Sequence, residues 1–326
     1  MEERKLIKFG KSAYCMTVPH AWLKKNRIKK GDSLTVQESM RNSLEILPTN
    51  NASVEGNELS IDISEKSTDE IFQLLLSTYM NGYTIITLRG QNTGKVAFVR
   101  KHVHEFIAAE IMEVTSNKIV IHVFWDINNI NLNSIIIRIG LITKSIFSET
   151  IESIDSDSRS EDIMEKGFEV QRQVLLARRV IKYALNHSST AHKFNLSSLE
   201  LLYMSYIIYF FGMTGDHIIK IAKILRKAKH NNYQDLLKDQ NAKKELKALI
   251  LRASDYYGKV VDAYNKHDHL AKFVFSEYAD FEESIDAFRT KNLQLWAPVL
   301  AEYIKLLISK IKEAEFTMIS MENAPK

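Results

Sequence analysis

Helix breakers are scarce in this chain, above all in its second part. From Leu132 to Met321 there is one proline, Pro298, and apolar residues recur at three- and four-residue intervals. Proline and glycine are the residues that most readily interrupt a helix, so a stretch this poor in both is expected to form long helices. Helices are predicted near 133–153, 158–188, 196–230, 233–264, 267–291 and 292–321. Asn186-His187-Ser188, Lys229-His230-Asn231 and Asn265-Lys266 are the expected joints. The series divides into two sets of three. A weak internal echo supports this: Glu165-Lys166-Gly167-Phe168-Glu169-Val170-Gln171 is similar to Asp280-Phe281-Glu282-Glu283-Ser284-Ile285-Asp286, 115 residues later. Two tandem three-helix bundles are therefore expected over 127–326.

The first part of the chain reads differently, and 326 residues are enough for two or more domains. Residues 1–48 read as short strands: Lys5–Phe9, a turn at Gly10-Lys11-Ser12, Tyr14–Val18, Ser33–Glu38 and Leu44–Leu47. Pro19 suits the start of a short helix, His20–Asn26, because its fixed φ and missing N–H cost nothing there. Four such strands cannot enclose a core alone, which is a physical reason to expect a homodimer through this segment. A polar linker opens 49–126, which is expected to be a small α/β connector. Its predicted elements are strands at Leu59–Ile63, Thr84–Leu88 and Ile119–Phe124, a helix from Thr68 to Met80 and a helix over 92–107.

Net charge is +4, and its distribution is uneven. Residues 1–48 carry ten lysines and arginines against five acids, so the whole basic surplus sits there. Such asymmetry points to a polyanion-binding module joined to a near-neutral body; the plainer alternative is a solvated basic face.

One cysteine, Cys15, excludes an internal disulfide and fits a reducing compartment. The charged N-terminus lacks the apolar core of a signal peptide, and the most apolar run, Leu199–Met213, is too short and polar to span a bilayer. A cytoplasmic protein, not an integral membrane protein, is expected.

Arg4 to Tyr14 leads into Thr17-Val18-Pro19, Trp22 and then Ile28-Lys29-Lys30-Gly31-Asp32. A basic strand, a G-x-S turn, a T-x-P helix start, a KKGD turn and a closing hairpin in this order resemble the AbrB/MazE/SpoVT domain. The likeness covers about 45 residues. It implies a swapped-hairpin β-barrel dimer that binds DNA, with Arg4, Lys5, Lys8, Lys11 and Ser12 at the DNA. The helical part resembles PhoU: Gly215-Asp216-His217-Ile218-Ile219-Lys220-Ile221-Ala222 is similar to that family's acid-x-x-x-Asp-His signature. The joint arrangement resembles that of archaeal phosphate-uptake regulators. It implies a transcriptional regulator of phosphate-responsive genes. The alternatives are a PhoU-type adaptor that docks on phosphate-transport or signalling proteins without binding DNA, and a chromatin-type binder of low specificity.

The PhoU resemblance also raises the question of metal, since that family holds iron or zinc on carboxylates four residues apart. Glu165, Glu169, Asp216, Asp280, Glu282 and Asp286 keep acids, but Gly212, Gly167 and Gln171 stand where acids are usual. Carboxylate sites need several ligands per ion, so a solvated or salt-bridged face is expected, with no metal and no cofactor. His102-x-His104 and His267-Asp268-His269 lack partners for a closed zinc site. Gly90-Gln91-Asn92-Thr93-Gly94-Lys95 is one residue short of a phosphate loop, and Val96 stands where a hydroxyl would hold magnesium. Cys15 is expected to be packed. The aromatic residues Tyr203, Tyr206, Tyr209, Phe210 and Phe211 are expected in the core. No catalytic set emerges, and no enzyme is expected.

Overall fold

The computed structural model describes residues 3–38, 43–48, 57–91, 94–155, 160–230, 239–266, 275–293 and 296–324. The protein is mixed α+β and mostly helical, and it divides into two compact units, Met1–Glu55 and Gly56–Lys326.

In the first unit, β1 (Ile7–Phe9) pairs antiparallel with β2 (Ala13–Cys15), and Gly10 makes the turn at φ +71°, where a side chain would be strained. The helix α1 (His20–Lys25) follows Pro19, whose carbonyl accepts from the N–H groups of Trp22 and Leu23 at 3.0 and 3.2 Å. Pro19 is thus the residue before the first helical turn, not its first member. Asn26 ends the helix by donating its side-chain amide to the Trp22 carbonyl at 2.8 Å. In the Lys29–Asp32 turn, the Asp32 carboxylate accepts from the Lys29 N–H at 2.7 Å. The strands β3 (Leu34–Glu38) and β4 (Leu44–Pro48) form a second antiparallel pair.

The second unit opens with an α/β layer: β5 (Glu58–Asp62), α2 (Thr68–Met80), β6 (Ile85–Arg89), α3 (Lys95–Val103), β7 (Ala109–Thr115) and β8 (Lys118–Val123). The sheet order is β5-β6-β8-β7, with β5 parallel to β6 and the other neighbours antiparallel. A capping box starts α2: Ser67 accepts from the Glu70 N–H while Glu70 accepts from the Ser67 N–H. Ile71, Leu75 and Tyr79 then repeat at helical spacing and bury against Ile86, Leu88, Ile119 and Ile121 of the sheet. Two features differ from the sequence expectation. The edge strand β7 is not among the predicted strands, because a bulge between Ile111 and Glu113 breaks its alternation and Met112, Glu113, Val114 and Thr115 all face solvent. The helix α3 ends at Val103, four residues short of the predicted limit.

The helical body contains α4 (Leu132–Ser153), α5 (Ser160–Asn186), a short α6 (Ser188–Lys193), α7 (Ser198–His230), α8 (Gln240–Lys266), α9 (Phe275–Lys291) and α10 (Ala297–Glu322). The helix α6 occupies the predicted joint after Asn186. The helices α4, α5 and α7 pack on one another, as do α8, α9 and α10; α7 against α10 and α4 against α8 join the triplets around one apolar core. Gly140 of α4 and Gly212 of α7 let helices approach closely. An added Cβ would lie 2.9 Å from Val261 Cγ1 at the first site and 3.0 Å from Val174 Cγ2 at the second. The aromatic cluster of α7 divides: Phe210 and Phe211 are buried, whereas Tyr206 and Tyr209 are 48% and 38% exposed. The reason is register. Leu202, Tyr206 and Tyr209 repeat at three and four residues along an exposed row of α7. Among the described residues no helix is long and apolar enough to cross a membrane.

Candidate nucleic-acid interface

Arg4 and Lys5 precede β1, Lys8 lies at its centre, and Lys11 and Ser12 form the turn to β2; all five are exposed. The register sets Lys8 opposite Tyr14, Ile7 opposite Cys15, and Phe9 opposite Ala13. Successive strand side chains point to opposite faces, so the hairpin has two different sides. One presents Lys8 beside Tyr14. The other presents Ile7, Phe9, Ala13 and Cys15.

The apolar side is bare within the single chain. Ile7 and Phe9 are 58% and 69% exposed, and none of the described residues of this unit is buried. Cys15, expected to be packed, is exposed as well, on the side it shares with Ile7 and Phe9. By contrast, Lys24 and Lys25 sit in the last turn of α1, where cations offset the partial negative charge of the helix end. Tyr14 joins the basic side through pairing, a placement that needs the cross-strand register and not composition.

Among these acids of the helical body, Glu169, Asp216 and Asp286 have protein partners. Glu169 accepts from Arg138 at 3.1 Å, Arg172 at 3.3 Å and Gln173 at 2.7 Å. Asp216 accepts from Gln171 at 2.6 Å, and its burial raises its pKa from the ordinary value. Asp286 pairs with Lys305 at 2.7 Å. The backbone site of Gly212, where the resemblance would place an acid, lies against Val174. Among the described residues no group of three or more His, Cys, Asp or Glu side chains is placed to hold a metal ion.

The other candidate motifs are engaged in packing. His102 contacts Glu105 and the rings of Phe72 and Phe98, while His104 is exposed at the end of α3. Lys95 donates to the carbonyls of Ile63 and Ser64, tying α3 to the end of β5. His267 and His269 lie outside the described residues. Comparison with family models, with curated proteins and with solved structures found no match.

Proposed function

We propose that this chain is a homodimeric DNA-binding regulator whose N-terminal unit forms a swapped-hairpin barrel with a second copy, and whose helical body senses or docks. The observation that carries this reading is the two-sided hairpin: an apolar side left exposed in one chain, and a basic side around Lys8. A small β-unit with no buried side chain among its described residues lacks the burial that stabilises a fold, and a second copy would supply it. Lys8 on the opposite side, with Arg4 and Lys5 before the strand and Lys11 in the turn, would then meet phosphates. Ser12 and Tyr14 would add hydrogen bonds at the same surface. Such phosphate contacts bring affinity and register, and base contacts bring specificity.

The resemblance of the helical body to PhoU makes phosphate-responsive genes the proposed targets, with a cytoplasmic location. An adaptor role without DNA is the second reading, and the exposed row Leu202, Tyr206 and Tyr209 favours it as a surface for another protein. Genome-wide occupancy under phosphate-rich and phosphate-poor growth separates the readings. The regulator reading expects discrete sites whose occupancy changes with phosphate. Uniform coverage would indicate a low-specificity binder, and no occupancy would indicate the adaptor.

A further inference from the structure

His217 presents an anomaly in the helical body. It lies on α7 facing α10 and is only 4% exposed, yet neither ring nitrogen has a hydrogen-bond partner among the described residues. Leaving buried polar atoms unpaired is costly, so such a group calls for an explanation. Its surroundings suggest one. The Tyr303 ring of α10 lies 6.2 Å from the imidazole, and the Lys220 ammonium lies 5.6 Å from that same ring. Lys310, farther along α10, rests 5.6 Å over Phe210. Lys220 and Lys310 are both near enough for their charge to oppose protonation of His217; burial first, and these charges after it, hold its pKa down to about 4. His217 is therefore neutral and offers one N–H donor and one acceptor.

We infer that the α7–α10 seam around His217 is a binding site for a small oxyanion, taken up as the free ion. Lys220 and Lys310 supply the positive field, and His217 and the Tyr303 hydroxyl supply directed hydrogen bonds. Two ammonium groups disfavour a metal cation, and an apolar ligand would leave the imidazole unpaired. Asp216, the neighbouring acid, turns the other way and is held by Gln171 of α5. This site is independent of the DNA-binding reading, since all its residues belong to the second unit.

The test is thermal unfolding of the full chain in rising inorganic phosphate or sulfate, with chloride balancing ionic strength. Wild type should show saturable stabilisation at low millimolar anion. K220A/K310A should need at least about tenfold more anion, the factor that 1.4 kcal/mol represents. His217→Leu should lose the response while melting no lower than wild type without anion, because leucine removes the unpaired nitrogens. If that variant fails to fold, His217→Gln, which keeps a donor, should retain the response. K8A/K11A should retain it too, which excludes the N-terminal cations as its source. A wild type that responds no more to phosphate and sulfate than to chloride would overturn the site. So would an unaltered response in K220A/K310A, or binding of ADP without binding of inorganic phosphate.

Discussion

The guanidinium of Arg179, on α5, donates to the main-chain carbonyl of Tyr79 in the last turn of α2, 100 residues earlier in the chain. It also donates to the Tyr83 carbonyl at 3.0 Å, and lies 4.8 Å from the Tyr79 ring and 4.6 Å from the Trp125 ring. The Tyr79 carbonyl also accepts from the Gly82 N–H at 3.1 Å, so Arg179 adds a second, charged donor at the helix C-terminus. The cation is fully buried, and burial lowers its pKa to about 10, so it remains charged at neutral pH. The α/β layer and the helical body are therefore joined by a polar contact as well as by apolar packing.

Arg179→Ala should destabilise the protein by about 3 kcal/mol, since two carbonyls lose a charged donor and two rings lose a stacked cation. Arg179→Lys should recover less than half of this, because an ammonium cannot reach both carbonyls with a planar fork. Chemical denaturation followed by circular dichroism measures both. A loss below about 1 kcal/mol for the alanine variant would show that the contact is incidental.

The close approach of α4 and α8 at Gly140 makes a second prediction. Alanine normally favours a helix over glycine by about 1 kcal/mol. Here the new methyl would meet Val261, a stiff, buried, β-branched side chain. Gly140→Ala should therefore be destabilising by about 1–2 kcal/mol despite the propensity gain. Adding Val261→Ala should make the glycine substitution less costly than in the native background. A double-mutant cycle with no coupling would contradict this packing.

Asp155 links the region after α4 to α8 through Lys243 at 2.8 Å and Lys247 at 2.6 Å. Those hydrogen bonds hold its pKa down at about 2, below the ordinary value. A depressed carboxylate pKa contributes stability above the unfolded value of about 4 and loses it as pH falls toward 2. The acid is half exposed, so solvent screening keeps the contribution under about 1 kcal/mol. Asp155→Asn should lower the melting temperature slightly at pH 7, with the difference from wild type vanishing near pH 2. An undiminished difference at that pH would assign the effect to something other than charge.

The elements differ in how far they can be read from sequence. The limits of α2 match the expected Thr68–Met80 because its boundary signals are local: Ser67 and Glu70 at the start, Asn81-Gly82 at the end. The strand β7 has no such signal, since an edge strand needs only one apolar side and its bulge shifts the alternation at Met112. Tyr206 and Tyr209 lie outside the core that the aromatic stripe predicts, because periodicity identifies a row of a helix, not which rows its neighbours cover. Gly212 reads in sequence as a missing acid; only packing shows that Val174 lies against it. In the candidate interface, the basic residues are legible from charge, whereas the pairing of Lys8 with Tyr14 requires the register.

The exposed Ile7 and Phe9 side predicts association through the first unit. Light scattering should find full-length protein dimeric at micromolar concentration. A chain starting at Gly56 should be less associated, with its helical content retained. A monomeric full-length chain would contradict the shared barrel, and an undiminished dimer after truncation would place the interface in the helical body.

We propose that the β1 strand and its turn bind DNA through phosphates. Fluorescence anisotropy against DNA from upstream of the protein's own gene, repeated across salt concentrations, tests it most directly. Each neutralised phosphate contributes about −0.9 to the slope of log K against log salt. Wild type should therefore show a steep negative slope. Lys8→Ala with Lys11→Ala should flatten that slope by about 0.9 for each phosphate no longer neutralised, while helical content and dimerisation stay unchanged. Lys24→Ala with Lys25→Ala should change it less. Wild-type protein without salt-sensitive binding, or a Lys8/Lys11 double variant that binds as tightly as wild type, would contradict the account and leave the adaptor reading in its place.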